Sequence, residues 1–377
     1  MSGHARLAPS SASIWGPGGC PGSVRMQELY PEAEETPKAR EGTAAHFYAT
    51  EALEGRVHEV GTLTPNGEAI TREMIDCAQD FITDVKDTFR VNGGALHIER
   101  RVHCHKSVNP DNDGTPDAYL IDKLEKVVHV WDYKFGHRYI DAWRNWQLVN
   151  YAIGVLEEHS VPRSDWHLWT FTLTVAQPRN YHPDGPLREW HTNGAVIAAM
   201  CDELALAAAE AVRPDAELRT GKQCRDCAAR FACPALEHVA MASCDVSMAG
   251  QPVNLPPSAL GLELRIIRDA MQRLGYRAEG LEEHALALCR QGVDVPHWRA
   301  EYSNGRQRWN DETGASEVAA MGEIYGIELL QPPKPVTPAQ AKKAGLDPDL
   351  VRAFSYTPRG PMALVPFDQA DIARKFS

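Results

Sequence analysis

Thr115-Pro116-Asp117 and Trp131-Asp132-Tyr133-Lys134 place two carboxylates and one amine on neighbouring segments of the chain. Residues 127–131 are mostly β-branched or aromatic, which predicts a strand that ends at the second motif. Alternate side chains of a strand share a face, so Asp132 and Lys134 are predicted to point the same way. Residues 116–121 predict an adjacent strand near Asp117. The sequence therefore predicts two acidic residues and a lysine close together at the end of a sheet.

This combination of side chains is typical of metal-assisted phosphodiester cleavage. Asp117 and Asp132 are candidate ligands for Mg²⁺ or Mn²⁺, because both ions prefer oxygen ligands. Lys134 is a candidate for orienting the attacking water or for stabilising charge on the phosphate. The alternative is structural. An aspartate at a strand end is commonly a turn residue or a solvated charge, and a single Asp-x-Lys triplet occurs by chance in many proteins.

Two further segments supply candidate partners for this site. Residues 142–152 predict a helix on which Gln147 and Tyr151 share a face, four residues apart. Residues 41–54 predict another helix, with His46 one turn from its start. An ordinary amphipathic helix and a structural histidine are the alternatives. Beside two carboxylates, His46 becomes a candidate third metal ligand or phosphate contact. Glu99 is a candidate for the rim of the same site.

Three of the nine cysteines form a cluster, Cys224-x2-Cys227-x5-Cys233. The first residues lack the apolar core of a secretory signal, and no apolar run reaches membrane-spanning length, so we expect a cytoplasmic protein without a membrane partner. Thiols stay reduced in the cytoplasm, so the cluster is predicted to bind a metal rather than to form disulfides. Zinc is one alternative. The fourth ligand would be Cys20, or else Cys244 or His238.

The ordered set of these motifs resembles the RecB-type branch of the PD-(D/E)xK nucleases. The set comprises His46, Gly114-Thr115-Pro116-Asp117, Asp132-Tyr133-Lys134 and Gln147-x3-Tyr151. The four cysteines resemble the iron–sulfur staple of Cas4-like and AddB-like members. Cys20–Ser23 and Glu41–His46 are also similar to the start of a phage and prophage family of Cas4-like exonucleases. The resemblance covers residues 11–237 and, more weakly, the remainder.

The resemblance implies a restriction-endonuclease-like α/β fold, with a mixed central sheet flanked by helices. It implies that His46, Asp117, Asp132 and the carbonyl of Tyr133 bind Mg²⁺ or Mn²⁺. Lys134 would be the catalytic lysine beside Asp117 and Asp132.

Further roles follow from the same resemblance. Gln147 and Tyr151 would contact the DNA backbone. A [4Fe–4S] cluster would be held by Cys20, Cys224, Cys227 and Cys233. Thiolate ligation suits such clusters, and we expect a structural clamp because hydrolysis needs no redox step.

The function expected on this basis is a metal-dependent DNA nuclease, an exonuclease, acting in phage or host DNA processing or recombination. Its substrate would be single- or double-stranded DNA. A recombination or single-strand-binding protein is a candidate partner, and the chain is a candidate oligomer. The alternative is a DNA-binding recombination-partner protein with a structural metal cluster and little or no nuclease activity.

Net charge is the observation least suited to a DNA-binding protein. The chain carries a formal charge of −12, whereas phosphate contacts come from lysine and arginine. The charge argues against tight nonspecific coating of duplex DNA but not against cleavage, for which a local basic strip is enough. Candidates for such a strip are Arg138, Arg144, Arg163, Lys222, Arg225 and Arg230.

The length of 377 residues predicts more than one domain. We predict a flexible segment over 1–19, a nuclease domain over 20–245, and an α+β accessory module over 258–377 that guides DNA or a partner. A hairpin with arginines and a tryptophan is predicted at Tyr302–Trp309. The other predicted elements are a helix over 68–90, strands over 95–103, 116–122, 126–134 and 166–175, and helices over 194–220 and 258–274.

Overall fold

A computed structural model describes residues 5–31, 37–180, 182–248 and 256–300. The chain separates into two units, Met1–Ala300 and Glu301–Ser377. The predicted hairpin at Tyr302–Trp309 and most of the predicted accessory module lie outside the described residues.

Within the described residues, four α-helices come first, the strands follow with one α-helix among them, and three α-helices come last. The helices are α1 (Ala12–Trp15), α2 (Ser23–Leu29), α3 (Pro37–Leu53), α4 (Arg72–Asn92), α5 (Trp146–Glu158), α6 (Gly194–Ala211), α7 (Pro234–Met248) and α8 (Pro257–Arg290). The strands are β1 (Ala95–Ile98), β2 (Val102–His103), β3 (Asp113–Gly114), β4 (Ala118–Asp122), β5 (Val127–Tyr133), β6 (Thr170–Ala176) and β7 (Leu187–Asn193).

The central sheet has five strands in the order β1-β4-β5-β6-β7. Its pairs are antiparallel except for β5 and β6, which are parallel. A parallel pair needs a crossover connection, and α5 lies within that connection. β2 and β3 form a separate two-stranded ribbon. The protein is thus a mixed α/β structure whose mostly antiparallel sheet is flanked by helices.

Two apolar layers cover the two faces of this sheet because strand residues alternate between faces. On one face, Val128 and Val130 of β5 pack with α5, α6 and the N-terminal segment. On the other face, Trp131 and Tyr133 pack with α3 and α4. Asp132 lies between the latter two residues, so its side chain points toward the layer that contains α5.

Side-chain caps fix where three of these helices begin. Thr71 accepts a hydrogen bond from Met74 N at the start of α4. Asn145 accepts from Gln147 N and Leu148 N, and so begins α5 beside the end of β5. Asn193 caps α6 in the same way. Each cap satisfies backbone donors that the first helical turn leaves unpaired.

The N-terminal segment, which we predicted to be flexible, is packed within the described residues. Leu7 and Trp15 are almost completely buried in the same apolar layer as α5. The indole of Trp15 donates to Ala8 O at 3.0 Å, and Leu7 N donates to Asp111 O at 3.1 Å. The prediction was wrong because composition rich in Gly, Ser and Pro hid a few apolar anchors.

Other element boundaries also differ from the predictions. The strand predicted over 95–103 is interrupted at Glu99, whose φ is 47°. Residues 163–168 form a 3₁₀ helix, so β6 begins at Thr170. β7 was not predicted, because its outward residues are polar and its apolar pattern is weak. The helix predicted over 194–220 ends at Ala211.

The boundary predicted between 245 and 258 does not separate the units. α8 belongs to the first unit. It packs against Ala228–Phe231, which lie between Cys227 and Cys233. Arg230 donates to Glu283 at 2.6 Å, and the rings of Phe231 and His284 stack at 4.2 Å. α8 extends to Arg290, well past the predicted end at 274. Among the described helices, none combines the length and apolarity that crossing a membrane requires.

A buried glycine of α5 tests the packing of the β2–β3 ribbon. An alanine Cβ at Gly154 would lie 2.7 Å from Val102 Cγ2 and 3.2 Å from Cys104 Sγ. We expect Gly154→Ala to destabilise the fold by about 1–3 kcal/mol through overpacking, despite alanine's higher helix propensity. Gly275 of α8 has nothing within 4 Å of such a Cβ, so Gly275→Ala should stabilise by about 0.5–1 kcal/mol. Urea unfolding of both variants measures the difference; equal effects would contradict this packing.

Candidate active site

Strand register brings three carboxylates to one end of the sheet. Ala118 pairs with Trp131, so the next step of the same register places Asp117 opposite Asp132. Ile98 pairs with Ala118 on the other side, which places Glu99 opposite Asp117. The backbone continues this pairing, since Glu99 N donates to Asp117 O at 3.1 Å. Glu99, Asp117 and Asp132 therefore form a row across β1, β4 and β5.

His46 of α3 approaches this row from the opposite layer. Its Nδ1 lies 2.9 Å from Asp117 Oδ1. The other oxygen of Asp117 accepts a hydrogen bond from Tyr133 N at 2.6 Å. The rings of His46 and Tyr133 meet edge to face at 5.3 Å. Asp117 is thus held by one helix and one strand, with 13% of its side chain exposed.

Asp132 is held from the opposite side of the row. Its Oδ2 lies 2.9 Å from Lys134 Nζ, and its Oδ1 accepts from Gln147 Nε2 at 2.9 Å. Gln147 Nε2 also lies 3.2 Å from Tyr151 Oη. The predictions that Asp132 and Lys134 share a face and that Gln147 and Tyr151 share a face are both confirmed by these contacts.

The charges in the site set one another's protonation. Burial opposes a charged Asp117, but His46 and Lys134 outweigh it and lower the pKa of Asp117. Burial by itself would lower the pKa of His46, but the negative charge of Asp117 outweighs burial and raises it. Burial and the nearby Asp117 raise the pKa of Asp132. Burial would lower the pKa of Lys134, but Asp132 and Asp117 together raise it.

Glu99 joins the site more closely than the sequence indicated. One oxygen accepts from Thr50 Oγ1 at 3.3 Å. The residue is exposed, yet its carboxyl group lies at the mouth of the site, where partial desolvation and the charge of Asp117 raise its pKa to about 7. Its left-handed φ of 47° turns the chain out of β1 at this point. Glu99 is recognised as a neighbour of Asp117 only from the strand register, which cannot be read from the sequence.

The donor set fits a hard divalent cation. One ligand atom each from His46, Glu99 and Asp117 lies within 4.8 Å of the others. Asp132 Oδ2 is buried and has no hydrogen bond of good geometry in the described structure, although it is ion-paired with Lys134. A buried carboxylate is costly unless its charge is paired, and a bound cation would add to the pairing that Lys134 provides. The carbonyl of Tyr133 as a ligand stays a prediction.

The four cysteines that the sequence singled out line one cavity. The cavity is lined by Cys20, Cys224, Cys227 and Cys233 together with apolar residues such as Ile14 and Leu236. Cys20 lies more than two hundred positions before the other three cysteines, so the chain closes a long loop here. Arg219 N donates to Cys20 Sγ at 3.2 Å, and Gly221 N donates to Cys224 Sγ at 3.4 Å.

These thiols influence one another electrostatically. Burial raises the pKa of Cys20, Cys224 and Cys227, the last to about 12, and each is raised further by at least one other cysteine of the group. Free thiols at these positions would stay protonated. A metal centre would reverse this, because thiolates are its ligands.

Four of the six residues predicted as a basic strip, all of them arginines, are instead paired with acidic residues. The pairs are Arg138–Asp226, Arg144–Glu203, Arg163–Asp202 and Arg230–Glu283. Arg163 belongs to the 3₁₀ helix before β6, whereas Arg138 follows β5. These acidic partners offset the positive charge at four of the six predicted positions.

Comparison with known proteins adds a family but no activity. Residues 4–370 match the sequence profile of a family described as protein of unknown function, DUF2800. The chain belongs to the DUF2800 family. No curated protein matches it.

The raised pKa of Glu99 predicts a pH dependence of stability. A carboxyl group whose pKa rises on folding, here from 4.5 to about 7, stabilises the fold at low pH. That contribution is lost as pH rises through about 7. In a chelator, the free energy of unfolding should therefore fall between pH 5 and pH 8, and Glu99→Gln should make the fall shallower. Glu125→Gln, at the distant β4–β5 turn, is the control and should change nothing.

Proposed function

We propose that this protein is a metal-dependent DNA nuclease of the PD-(D/E)xK type. The observation that carries the proposal is the row of Glu99, Asp117 and Asp132 with Lys134 beside it. A structural role explains this arrangement poorly. Three carboxylates in one row repel one another, and nothing in the fold's packing requires them there.

The order of elements supports a restriction-endonuclease-like core. α4 leads into β1, β4 and β5, which are consecutive antiparallel neighbours in the sheet, and α5 then crosses to β6, parallel to β5. The candidate site lies where β4 begins and β5 ends, with α5 starting beside it. This is the arrangement that the resemblance to these nucleases implies.

The residues of the chain would divide the chemistry between them. His46, Glu99, Asp117 and Asp132 would hold Mg²⁺ or Mn²⁺, which when bound would neutralise charge on the scissile phosphate. Lys134 Nζ, 2.9 Å from Asp132, would donate hydrogen bonds to an attacking water or to a phosphate oxygen. Asp132 and Asp117 raise the pKa of Lys134 in the metal-free site, which favours the protonated amine that such hydrogen bonds require.

Gln147 and Tyr151 would bind the DNA backbone from α5. Gln147 Nε2 donates to both Asp132 and Tyr151, so the amide and the phenol lie beside the carboxylate row. Burial and the charge of Asp132 raise the pKa of Tyr151, which keeps the phenol able to donate. Since four of the six residues of the predicted basic strip are in ion pairs, we infer that binding is local to the site and weak away from it.

We also propose that the cysteine group holds a [4Fe–4S] cluster. All four sulfurs border one cavity, and backbone N–H groups of Arg219 and Gly221 point at two of them. In a tetrahedral zinc site with Zn–S bonds of about 2.3 Å, sulfurs are about 3.8 Å apart. No three cysteine sulfurs in the described residues lie within 4.8 Å of one another. This wider spacing favours a multinuclear cluster over a single zinc ion.

The activity is tested with end-labelled single- and double-stranded DNA in Mn²⁺. Wild type should degrade at least one substrate, and Lys134→Ala should lower the rate by about 100-fold or more because it removes a charge-stabilising donor. Lys123→Ala is the matched control, since that lysine lies in the β4–β5 turn at the far end of the sheet. Undiminished cleavage by the Lys134→Ala protein would sink the proposal.

The cluster is tested separately by colour. Protein purified without oxygen should be brown and absorb at roughly 400 nm, as thiolate-ligated iron–sulfur centres do. Cys227→Ser should lose the colour. It should also unfold at a lower temperature, because the cluster would no longer link Cys20 to the segment that holds the other cysteines. Cys289→Ser on α8 is the control and should keep both. A colourless wild type with one zinc per chain would contradict the cluster while leaving the nuclease proposal standing.

A further inference from the structure

A second cluster of metal-ligating side chains lies on the β2–β3 ribbon. His103 pairs directly with Asp113 across the ribbon, and His105 follows two residues later. One ligand atom from each of the three lies within 4.8 Å of the others. The two imidazole rings are 4.6 Å apart between centroids. Neither the proposed nuclease site nor the cysteine group uses these residues.

Alternation along the ribbon explains why these side chains share a face. Val102 and Cys104 point inward onto α5, where both meet the position of a Cβ at Gly154. Cys104 Sγ lies 3.2 Å from Asn150 O. His103 alternates with Val102 within β2 and is partly exposed, and His105, in the turn that follows, is exposed. Asn112, just before the partner strand, is completely buried, and Asp113 opens that strand beside the histidines with 15% of its side chain exposed.

The loop that joins the two strands is held rigidly. Cys104 N donates to Asn112 O at 3.0 Å, and the Asn112 amide donates to Leu7 O at 2.6 Å. Glu157 accepts from the backbone N–H groups of Lys106 and Ser107. These anchors fix the backbone beneath the cluster, so little entropy would be lost when the side chains close on an ion.

The distances within the cluster suit a cation better than direct hydrogen bonds. Arg101 Nε donates to Asp113 Oδ1 at 2.6 Å and orients the carboxylate, leaving Oδ2 toward His105. Oδ2 lies 3.7 Å from His105 Nε2, which is beyond hydrogen-bond length. Across a tetrahedral zinc ion, ligand atoms are about 3.4 Å apart. The gap therefore nearly matches the span of a bound ion.

A second observation points to a missing partner. The Nδ1 atom of His103 is buried and makes no hydrogen bond within the described structure. Buried polar atoms are normally satisfied. Coordination would supply that partner, either at this nitrogen directly or by fixing the tautomer through the other ring nitrogen.

We propose that His103, His105 and Asp113 bind a divalent transition-metal ion of the Zn²⁺ class. Two imidazoles and one carboxylate are typical zinc ligands, whereas Mg²⁺ favours sites made mostly of oxygen ligands. The side chain of His105 is 44% exposed, so an ion has an open path and water completes its coordination. The ion would clamp the ribbon's two strands together next to α5. This site is independent of the proposed nuclease function.

The test is a Co²⁺ titration of the full chain with its cysteine centre intact and millimolar Mg²⁺ present. Tetrahedral Co²⁺ with nitrogen and oxygen ligands has a visible absorption without the charge-transfer bands of thiolate ligation. Wild type should show this absorption at one ion per chain, and Zn²⁺ should displace it. His105→Ala and Asp113→Asn should each weaken binding by more than tenfold.

Two controls separate this site from its neighbours. His191 is an exposed histidine paired with one carboxylate, Glu189, so His191→Ala should bind Co²⁺ like wild type. His46→Ala removes a ligand of the other cluster and should also leave the absorption intact. Unchanged melting temperatures of all variants in chelator would show that they fold. Absence of the absorption in wild type, its loss in His46→Ala, or its persistence in both ribbon variants would each overturn the proposal.

Discussion

The pairing of Asp117 with Asp132 across β4 and β5 is the constraint around which the described part of the protein is arranged. Two carboxylates at one end of a sheet, both largely buried, repel each other and lose solvation. The fold offsets this cost with His46 on one side and Lys134 on the other. The helix α3 and the turn after β5 are therefore held in place by the charges that the site requires.

Three distant parts of the chain converge to support this arrangement. The N-terminal segment inserts Trp15 beneath α5, and α5 in turn presents Gln147 to Asp132. Gln177, completely buried, binds the loop after Lys134 through Gly136 O at 2.8 Å. The cysteine group joins the same N-terminal segment to the chain after α6. A cluster there would stabilise the α5 side of the sheet. A structural cofactor could in this way support the candidate site without taking part in its chemistry.

Elements that depend on local sequence were predicted, whereas elements that depend on contacts between distant residues were not. Strand β5 and helix α5 were foreseen because each carries its own apolar period, and the i, i+4 contact of Gln147 with Tyr151 follows from helix geometry alone. The buried N-terminal segment and strand β7 were missed, because their structure comes from contacts with distant residues. Glu99 was foreseen only as a residue of the rim. Its place beside Asp117 depends on strand register, which one residue of slippage would change.

The sequence by itself determined the chemical types of the candidate site. It supplied the alternation that turns Asp132 and Lys134 to one face, and the clustering of Cys224, Cys227 and Cys233. Only the tertiary structure decided which of these groups meet. It placed Glu99 in the carboxylate row, dispersed the arginines into ion pairs, and set His103 and His105 beside Asp113. The physical reason is that spacing along a strand or helix is fixed by local backbone geometry, whereas pairing between elements depends on how the whole core packs.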